Sequence, residues 1–320
     1  MRYLRSPIVR KVVIDCDPGH DDVFAIGLAS RRLEIVGITT VCGNSSIENT
    51  TRNALVARDV FSLGEVPIVV GASKPLNGVE PQFTTAHGST GLDGPVGRTP
   101  KGHVAHGAAH DFLIEQSKLH EDLWIIAIGP LTNVALALSK DPDFARRVAG
   151  ISIMGGSASF GNVTSSSEYN TWFDPEAADV VFGSQARLMM CGLDLTHQFA
   201  LGPDFAESLR AIGSDPAIFC AELFDFYYSY SERLHAENSA VLQDVLAPLH
   251  DLCAVLAITN PEIFGSEEVN VEIELAGTIT RGMTVVDRRP WMKSKNVNVN
   301  LLVTIDSAKA AEIVLDSFVR

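Results

Sequence analysis

Four aspartates within eight residues form the clearest chemical signal in the chain. They are Asp15, Asp17, Asp21 and Asp22, and they follow the apolar residues 12–14 directly. Like charges this close together repel strongly away from bulk water, and the usual compensation is a bound cation. Carboxylate oxygens suit a hard ion, either Ca²⁺ or Mg²⁺. The pattern therefore indicates a divalent-cation site. The alternative is that Asp21 and Asp22 only cap a helix, while Asp15 and Asp17 are solvated or hydrogen-bonded.

The aspartates lie between a predicted strand at residues 11–15 and a predicted helix at residues 22–30. A Pro-Gly pair turns the chain between the two elements. In an extended chain Asp15 and Asp17 point to the same face, and the first turn of the following helix tolerates acidic side chains. Ligands of open parallel sheets bind outside the carboxyl ends of the strands, so this position predicts a functional site.

Apolar β-branched runs alternate with helical patterns through most of the chain. The predicted strands cover residues 11–15, 35–41, 66–70, 123–128, 151–154, 187–191, 269–275, 283–286 and 297–303. The predicted helices cover residues 22–30, 50–63, 104–118, 131–139, 175–182, 216–233, 245–259 and 306–318, the last with Asp306 as its N-cap. This alternation predicts an α/β fold with an open, mostly parallel central sheet flanked by helices and a small C-terminal strand addition. We expect a single domain over residues 1–320.

The composition excludes several classes of protein. The 320 residues include 25 Lys+Arg against 39 Asp+Glu, for a formal net charge of −14. This balance argues against binding to nucleic acid or to an anionic membrane surface. The sequence contains neither a signal-peptide pattern nor an apolar run long enough to span a membrane, so we expect a cytoplasmic protein. The five cysteines form no CxxC pair, which is typical of reduced thiols and predicts no zinc site.

A series of short motifs runs along nearly the whole chain. The first is D-x-D-P-G-x-D-D at residues 15–22, and the others lie at residues 39–44, 87–88, 91–94, 128–133, 154–156, 161–162, 168–170, 174–178, 194–197, 250–251 and 282–285. In these motifs and in their order, between residues 11 and 305, the chain resembles the inosine–uridine-preferring family of nucleoside hydrolases. The aspartyl-phosphate hydrolases also begin with a strand and D-x-D, but the Pro-Gly-His-Asp-Asp continuation does not fit their pattern.

The resemblance implies a Rossmann-like fold, cleavage of ribonucleosides to free base and ribose, a tightly held Ca²⁺, and a homotetramer or homodimer. It implies that Asp17, Asp22 and Asp251 are ligands of the ion, together with the main-chain carbonyl of Ile128. Asp15 would support this site without necessarily touching the metal.

Cleavage of the N-glycosidic bond requires chemical roles that these residues can perform. An N-ribosyl bond breaks through an oxocarbenium-like transition state, which an activated water and a proton donor for the leaving base both assist. Our hypothesis is that Asp17 takes the proton of the water. His250 lies beside Asp251, and the purine-cleaving members of the family use a histidine here as the proton donor.

Ribose needs hydrogen-bonding partners for its hydroxyl groups. By resemblance, Asp21 and Asn170 hold the 2′- and 3′-hydroxyls, while Asn162 and Glu168 hold the 5′-hydroxyl. Three further predicted substrate contacts are Asn44, His87 and Tyr169.

The sequence departs from the family pattern near residue 250. The family motif His-Asp-Pro reads His250-Asp251-Leu252 here, and the segment between residues 230 and 250 is longer than in familiar members. Candidate contacts to the base on or before this segment are Tyr228, Tyr230 and Gln243, although the tyrosines could equally pack in the core. The preference for purine or pyrimidine stays open.

Two alternatives to a ribonucleoside hydrolase also remain. One is a hydrolase of another N-ribosyl compound, such as nicotinamide riboside or a cytokinin riboside. The other is a catalytically silent protein that binds nucleosides or ribose. The complete aspartate set and the retained His250 favour an enzyme.

Overall fold

The computed structural model describes residues 9–95, 97–237, 245–289, 291 and 296–319, and the candidate base contact Gln243 lies outside them. The strands in these ranges are β1 Lys11–Cys16, β2 Glu34–Thr40, β3 Ile68–Val70, β4 Trp124–Ala127, β5 Gly150–Met154, β6 Leu188–Cys191, β7 Ala200–Leu201, β8 Ala247–Pro248, β9 Phe264–Ile273, β10 Thr284–Asp287 and β11 Val299–Ile305.

The helices lie mostly between these strands, and a 3₁₀ turn covers Pro261–Ile263. The α-helices in the described ranges are α1 His20–Arg32, α2 Ile47–Val60, α3 Ala109–Leu119, α4 Thr132–Lys140, α5 Phe144–Arg147, α6 Tyr169–Phe173, α7 Pro175–Phe182, α8 Leu193–Thr196, α9 Asp204–Ile212, α10 Asp215–Glu237, α11 Leu252–Thr259 and α12 Ser307–Phe318.

Nine of the described strands form one sheet in the order β10-β9-β11-β6-β5-β4-β1-β2-β3. The strands from β11 to β3 pair in parallel, whereas β9 and β10 add two antiparallel pairings at the C-terminal edge. Strands β7 and β8 form a separate antiparallel pair. The predicted α/β architecture with a small C-terminal strand addition is confirmed.

The sheet is covered on both faces, as continuous apolar strands predict. Val12 and Ile14 of β1 belong to one apolar cluster, which includes α1 and α11, and Val13 between them belongs to the cluster on the other face. Because successive side chains of a strand alternate between faces, β1 contributes to both cores. Its carboxyl end is therefore held rigidly.

One predicted helix is wrong in its first half. Residues 245–259 were expected to be helical, but Ala247–Pro248 is a short strand and the helix begins only at Leu252. Pro248 has no N–H to donate and clashes with the preceding turn of a helix, so a helix cannot run through it. This break leaves His250 and Asp251 in the turn before α11.

Three other observations bear on the predictions. Asp306 caps α12 as expected, since its side chain accepts a hydrogen bond from the backbone N–H of Lys309. All five cysteines are free and buried. In the part of the chain that the structure describes, no helix has both the length and the apolar character needed to cross a bilayer.

Candidate active site

A triplet of buried carboxylates marks the carboxyl end of β1. One carboxylate oxygen from each of Asp21, Asp22 and Asp251 lies within 4.8 Å of the other two. Asp21 and Asp22 occupy the first turn of α1, and Asp251 is the N-cap residue of α11. The two helices pack against each other, and this packing brings together residues that are far apart in the sequence.

Asp17 lies beside this triplet with one oxygen held and the other free. Its Oδ2 accepts a hydrogen bond of 2.6 Å from the backbone N–H of Asn44, while its Oδ1 is buried without a partner in the described residues. A Cβ atom on Gly43 would lie 2.1 Å from Oδ2, and one on Gly129 would lie 2.5 Å from Oδ1. Glycine at both positions is therefore required for the Asp17 carboxylate to fit.

Burial, reinforced by repulsion between neighbouring carboxylates, raises the pKa of these aspartates. The pKa of Asp21 rises to about 7, and burial raises that of Asp22 to about 6. Burial together with the other aspartates also raises the pKa of Asp17 and of Asp251 well above the ordinary value. Such a cluster is stabilised either by protons or by a cation, because burial penalises each negative charge.

Asp15 has a different environment from the other aspartates. Its Oδ1 accepts hydrogen bonds from Thr39 Oγ1 at 2.6 Å and from Asn133 Nδ2 at 2.8 Å. Its Oδ2 is buried without a partner in the described residues, and burial raises its pKa to about 6. The Asn133 amide also bonds the backbone of Thr40 and Ala72, so Asp15 is tied to the end of β2 and to the loop that follows β3.

A cavity of about 550 Å³ opens next to the triplet. Ten residues expected from the sequence line it: Asp21, Asn44, His87, Ile128, Asn162, Glu168, Tyr169, Asn170, His250 and Asp251. The side chains of Asp17 and Asp22 are fully buried beside it. The structure therefore brings the predicted site residues together, although they are spread from residue 17 to residue 251.

The carboxylate of Glu168 fixes the loop around this residue. Glu168 is the N-cap of α6 and accepts hydrogen bonds of 2.8 Å from the backbone N–H groups of Asn170 and Gly156. Burial nevertheless raises its pKa to about 7. The Asn170 amide donates to the carbonyls of Ile128 and Met154, at 3.2 and 3.1 Å. The Ile128 carbonyl, implied as a metal ligand, thus has Asn170 as its partner here.

His250 is held by a hydroxyl group. Its Nδ1 lies 2.7 Å from Oγ1 of Thr196, and its ring centroid lies 5.5 Å from that of His197. Burial lowers the pKa of His250 to about 3, which favours the neutral ring. His197 also lines the cavity.

Helix α10 supplies the cavity residues that sequence reasoning missed or left open. Tyr227, Tyr230, Ser231 and Leu234 line the cavity at positions i, i+3, i+4 and i+7, the spacing of one helix face. Tyr228 instead packs against Phe224 and donates to the carbonyl of Val245. Helical spacing was the signal that could have separated Tyr227 and Tyr230 from Tyr228.

Comparison with known proteins finds relatives that match nearly the whole chain. The family described as "Inosine-uridine preferring nucleoside hydrolase" matches residues 12–312. A protein of that description from Leishmania major is 37% identical over 317 residues, which cover 97% of this chain and 98% of that protein. The pyrimidine-specific ribonucleoside hydrolase RihA of Shewanella baltica is 36% identical over 97% of this chain and 96% of its own length.

Solved structures show the same fold. A purine-preferring ribonucleoside hydrolase from Gardnerella vaginalis has a TM-score of 0.87 at 30% identity, over 97% of this chain and 98% of that one. A plant nucleoside hydrolase has a TM-score of 0.88 at 28% identity, over 97% and 99% of the two chains. On the extent of these matches, the chain belongs to the inosine–uridine-preferring nucleoside hydrolase family, whose members hydrolyse the N-glycosidic bond of ribonucleosides.

Proposed function

We propose that this chain hydrolyses ribonucleosides with the help of a divalent cation, Ca²⁺, held by its buried aspartates. The observation that carries the proposal is the convergence of three buried carboxylates at the edge of a cavity lined by hydrogen-bonding side chains and histidines. The cavity volume of about 550 Å³ is within the range of small-molecule sites.

The donor set fits a hard cation. The Asp17 carboxylate has a buried oxygen without a partner in the described residues, and the neighbouring carboxylates repel one another unless positive charge is present. The ligands would be Asp17, Asp22 and Asp251, with the carbonyl of Ile128. A cation bound there would supply Lewis-acid chemistry, which lowers the pKa of a water molecule and positions it.

Asp17 is the base in this proposal. Its Oδ2 is fixed by the Asn44 N–H, so its Oδ1 keeps one orientation and takes the proton of the attacking water. Asp15 is supporting, because its hydrogen bonds to Thr39 and Asn133 hold the end of β1 in place.

Polar side chains along the cavity hold the ribose. Asp21 and Asn170 bind the 2′- and 3′-hydroxyls, and Asn162 and Glu168 bind the 5′-hydroxyl. Because two backbone N–H groups pin the Glu168 carboxylate, its position is set before substrate arrives. The remaining proposed substrate contacts are Asn44, His87 and Tyr169.

His250 acts on the leaving base. In this proposal the Thr196 hydroxyl donates to Nδ1 of the neutral ring, so the ring hydrogen lies on Nε2, and the hydroxyl accepts from Nδ1 once the ring is protonated. Negative charge that develops on the departing base raises the pKa of His250, so the ring takes up a proton from solvent and the Nε2 hydrogen passes to the base, which leaves the ring neutral again. This role does not select between purine and pyrimidine nucleosides, and both preferences occur among the relatives.

We also propose, from the family resemblance, a cytoplasmic homodimer or homotetramer in which residues 1–320 form one domain. Light scattering of the purified protein measures the oligomeric state, and a monomer at micromolar concentration would contradict this part of the proposal.

The release of reducing sugar tests the proposed function. The purified protein is incubated with inosine, uridine, adenosine, cytidine or nicotinamide riboside, with and without a chelator, and its metal content is measured by atomic emission. We expect ribose from at least one ribonucleoside, loss of activity with chelator, and recovery with Ca²⁺. Binding of ribose without hydrolysis of any of these compounds would instead indicate a silent binding protein.

A further inference from the structure

His20, which has no role in the proposed function, forms a buried pair with His87, one of the proposed substrate contacts. Their Nδ1 atoms lie 2.9 Å apart and their ring planes differ by only 21°. On its other side, Nε2 of His20 lies 2.8 Å from the main-chain oxygen of Asp93. The His20 side chain is fully buried, and its ring lies parallel to that of Phe226, with the centroids 5.1 Å apart.

The partners of His20 determine where its hydrogen lies. A carbonyl oxygen only accepts hydrogen bonds, so Nε2 of His20 must carry the hydrogen that reaches Asp93. A second hydrogen on Nδ1 would make the ring a cation, which is costly for a fully buried side chain whose hydrogen-bond partners are a carbonyl and a neutral ring. Nδ1 of His20 is therefore a bare acceptor.

The hydrogen between the two rings then belongs to His87. Two bare nitrogens 2.9 Å apart would repel each other, so Nδ1 of His87 carries the hydrogen and donates it to His20. The backbone N–H of His20 also points at Nδ1 of His87, at the longer distance of 3.2 Å, and it loses this acceptor when Nδ1 of His87 carries the hydrogen. We rank the ring-to-ring bond above it, because the shorter contact cannot exist without a hydrogen.

A neutral His87 with its hydrogen on Nδ1 has a bare Nε2. The hydrogen bonds that His87 makes to described residues use Nδ1 rather than Nε2, and His87 lines the cavity. We propose that His20 is a positioning residue that fixes the tautomer of His87, so that Nε2 of His87 accepts a hydrogen from an O–H or N–H group of the bound nucleoside. The identity of this ligand as a nucleoside rests on the proposed function.

The backbone around the pair is built for this contact. A Cβ on Gly19 would lie 2.7 Å from Nδ1 of His87, so only glycine lets the two segments approach this closely. Gly88 has a φ of +79°, and the Asp93 carboxylate accepts hydrogen bonds from the N–H groups of Ser89 and Thr90. This turn presents the Asp93 carbonyl to His20.

Nitrogen-15 NMR of protein labelled at histidine tests the tautomer without any assay of activity. We expect His87, assigned by the loss of its signals in His87→Gln, to show a protonated Nδ1 and a bare Nε2 in the ligand-free protein. We expect His20 to show the opposite pattern. A hydrogen on Nε2 of His87, or hydrogens on both nitrogens of His20, would overturn the proposal. These results stand even if no nucleoside is hydrolysed.

Two variants of His20 distinguish an effect of the His87 tautomer from an effect of side-chain packing. His20→Phe keeps an aromatic ring beside Phe226 but cannot accept the His87 hydrogen, whereas the Asn side chain of His20→Asn places an acceptor oxygen near the position of Nδ1. For the substrate that wild type cleaves, we expect His20→Phe to raise KM about three- to tenfold with kcat within about twofold, the loss of one neutral hydrogen bond.

We expect His20→Asn to restore KM to within about twofold of the wild-type value, and His110→Phe on α3 to leave KM unchanged. Equal KM values for His20→Phe and His20→Asn, whether both raised or both normal, would contradict the proposal. If His20→Phe does not fold, the NMR result on the wild-type protein decides.

Discussion

The two oxygens of the Asp17 carboxylate differ in their surroundings, since one is held by the Asn44 N–H and the other is buried without a partner in the described residues. We expect Asp17→Asn to lower kcat by a factor of about 10² to 10⁴, the usual contribution of a general base. The substitution keeps an acceptor for Asn44, so the fold should persist. Steady-state kinetics and metal analysis measure both effects. The exposed Asp122→Asn is the matched control, and near-normal kcat in Asp17→Asn with metal bound would exclude the base assignment.

The hydroxyl of Thr196 is the partner of His250 Nδ1. Thr196→Val keeps the shape of the side chain and removes this hydrogen bond, so the His250 ring loses its orientation and its preferred tautomer. We expect kcat to fall about tenfold on natural nucleosides, the equivalent of about 1.4 kcal/mol. On p-nitrophenyl riboside, whose leaving group needs no proton, we expect little change.

The buried Thr50→Val on α2 is the control for this substitution. Equal losses on both classes of substrate would show that Thr196 supports the fold rather than the proton donor.

Glu168 makes the stability of the protein depend on pH. Burial raises its pKa from 4.5 to about 7, so the folded protein keeps a proton that the unfolded chain has lost in this interval. The contribution of Glu168 to stability is therefore full below pH 4.5 and is lost as the pH rises to about 7. We expect the free energy of unfolding of wild type, relative to Glu168→Gln, to fall by up to about 3 kcal/mol over this range.

Urea unfolding of both proteins at a series of pH values measures this difference. The exposed Glu115→Gln on α3 is the control for the loss of a carboxylate. A flat difference for Glu168→Gln would mean that its pKa is ordinary in the folded protein.

At the scale of single residues, the sequence predicts which side chains line the site but not how they pair. Asp21 and Asn170 belong to local motifs that can be read along the chain. The contacts between His20 and His87, or between Thr196 and His250, join residues far apart in sequence, and only the tertiary fold creates them. The proximity of Asp251 to Asp21 and Asp22 follows from the family resemblance and not from local pattern, because it depends on how α1 packs against α11.

The elements that position the site are β1 and its two parallel neighbours. Asp15 pairs with Thr39 of β2 on one side and with Ala127 of β4 on the other. Parallel strands end at the same edge of the sheet, so the loops after β2 and β4 bring Asn44 and Ile128 to the aspartates. Strand periodicity predicts that these side chains lie at one edge of a parallel sheet, but it does not predict that β2 and β4 are the neighbours of β1. The break of the predicted helix at Pro248 was missed because apolar composition outweighed a single proline in that interpretation.

Helix α10 presents one face to the cavity and another to the core, and its tyrosines separate the two. We expect Tyr230→Leu to raise KM for nucleosides about two- to tenfold, because an aromatic contact worth about 0.5–1.5 kcal/mol is lost. Tyr228→Leu, on the face that packs against Phe224, should lower the melting temperature and leave KM unchanged. Steady-state kinetics and thermal unfolding of both variants measure KM and the melting temperature. Equal KM values for the two variants would show that Tyr230 does not contact substrate.

For the whole molecule, the proposed cation should stabilise the fold. A ligand present at about 100 times its Kd adds about 2.7 kcal/mol, which corresponds to roughly 4 °C in melting temperature for a chain of this size. We expect Ca²⁺ to raise the melting temperature of chelator-treated protein by this amount and to have little effect on Asp251→Asn. Calorimetry measures both. An equal rise in the variant would place the stabilising ion elsewhere.

The class of fold follows from the alternation of strands and helices along the chain, since continuous apolar strands require cover on both faces. The order of the strands in the sheet does not follow, because it depends on which way each connection crosses. The chain runs from β1 to β2 and β3 at one edge and then returns to β4 on the other side of β1.

The ribosome makes the residues of the acidic triplet at different times. Asp22 and Asp251 lie about 230 residues apart, so a ribosome that adds about 5–20 residues per second makes the second roughly 10–45 s after the first. During that interval the growing chain carries Asp15, Asp17, Asp21 and Asp22 without the residue that completes the triplet. The strands around β1 can assemble first, but the proposed cation, which both helices would hold, could bind only after α11 has been made. Metal capture would then be a late event that locks the N-terminal and C-terminal halves together.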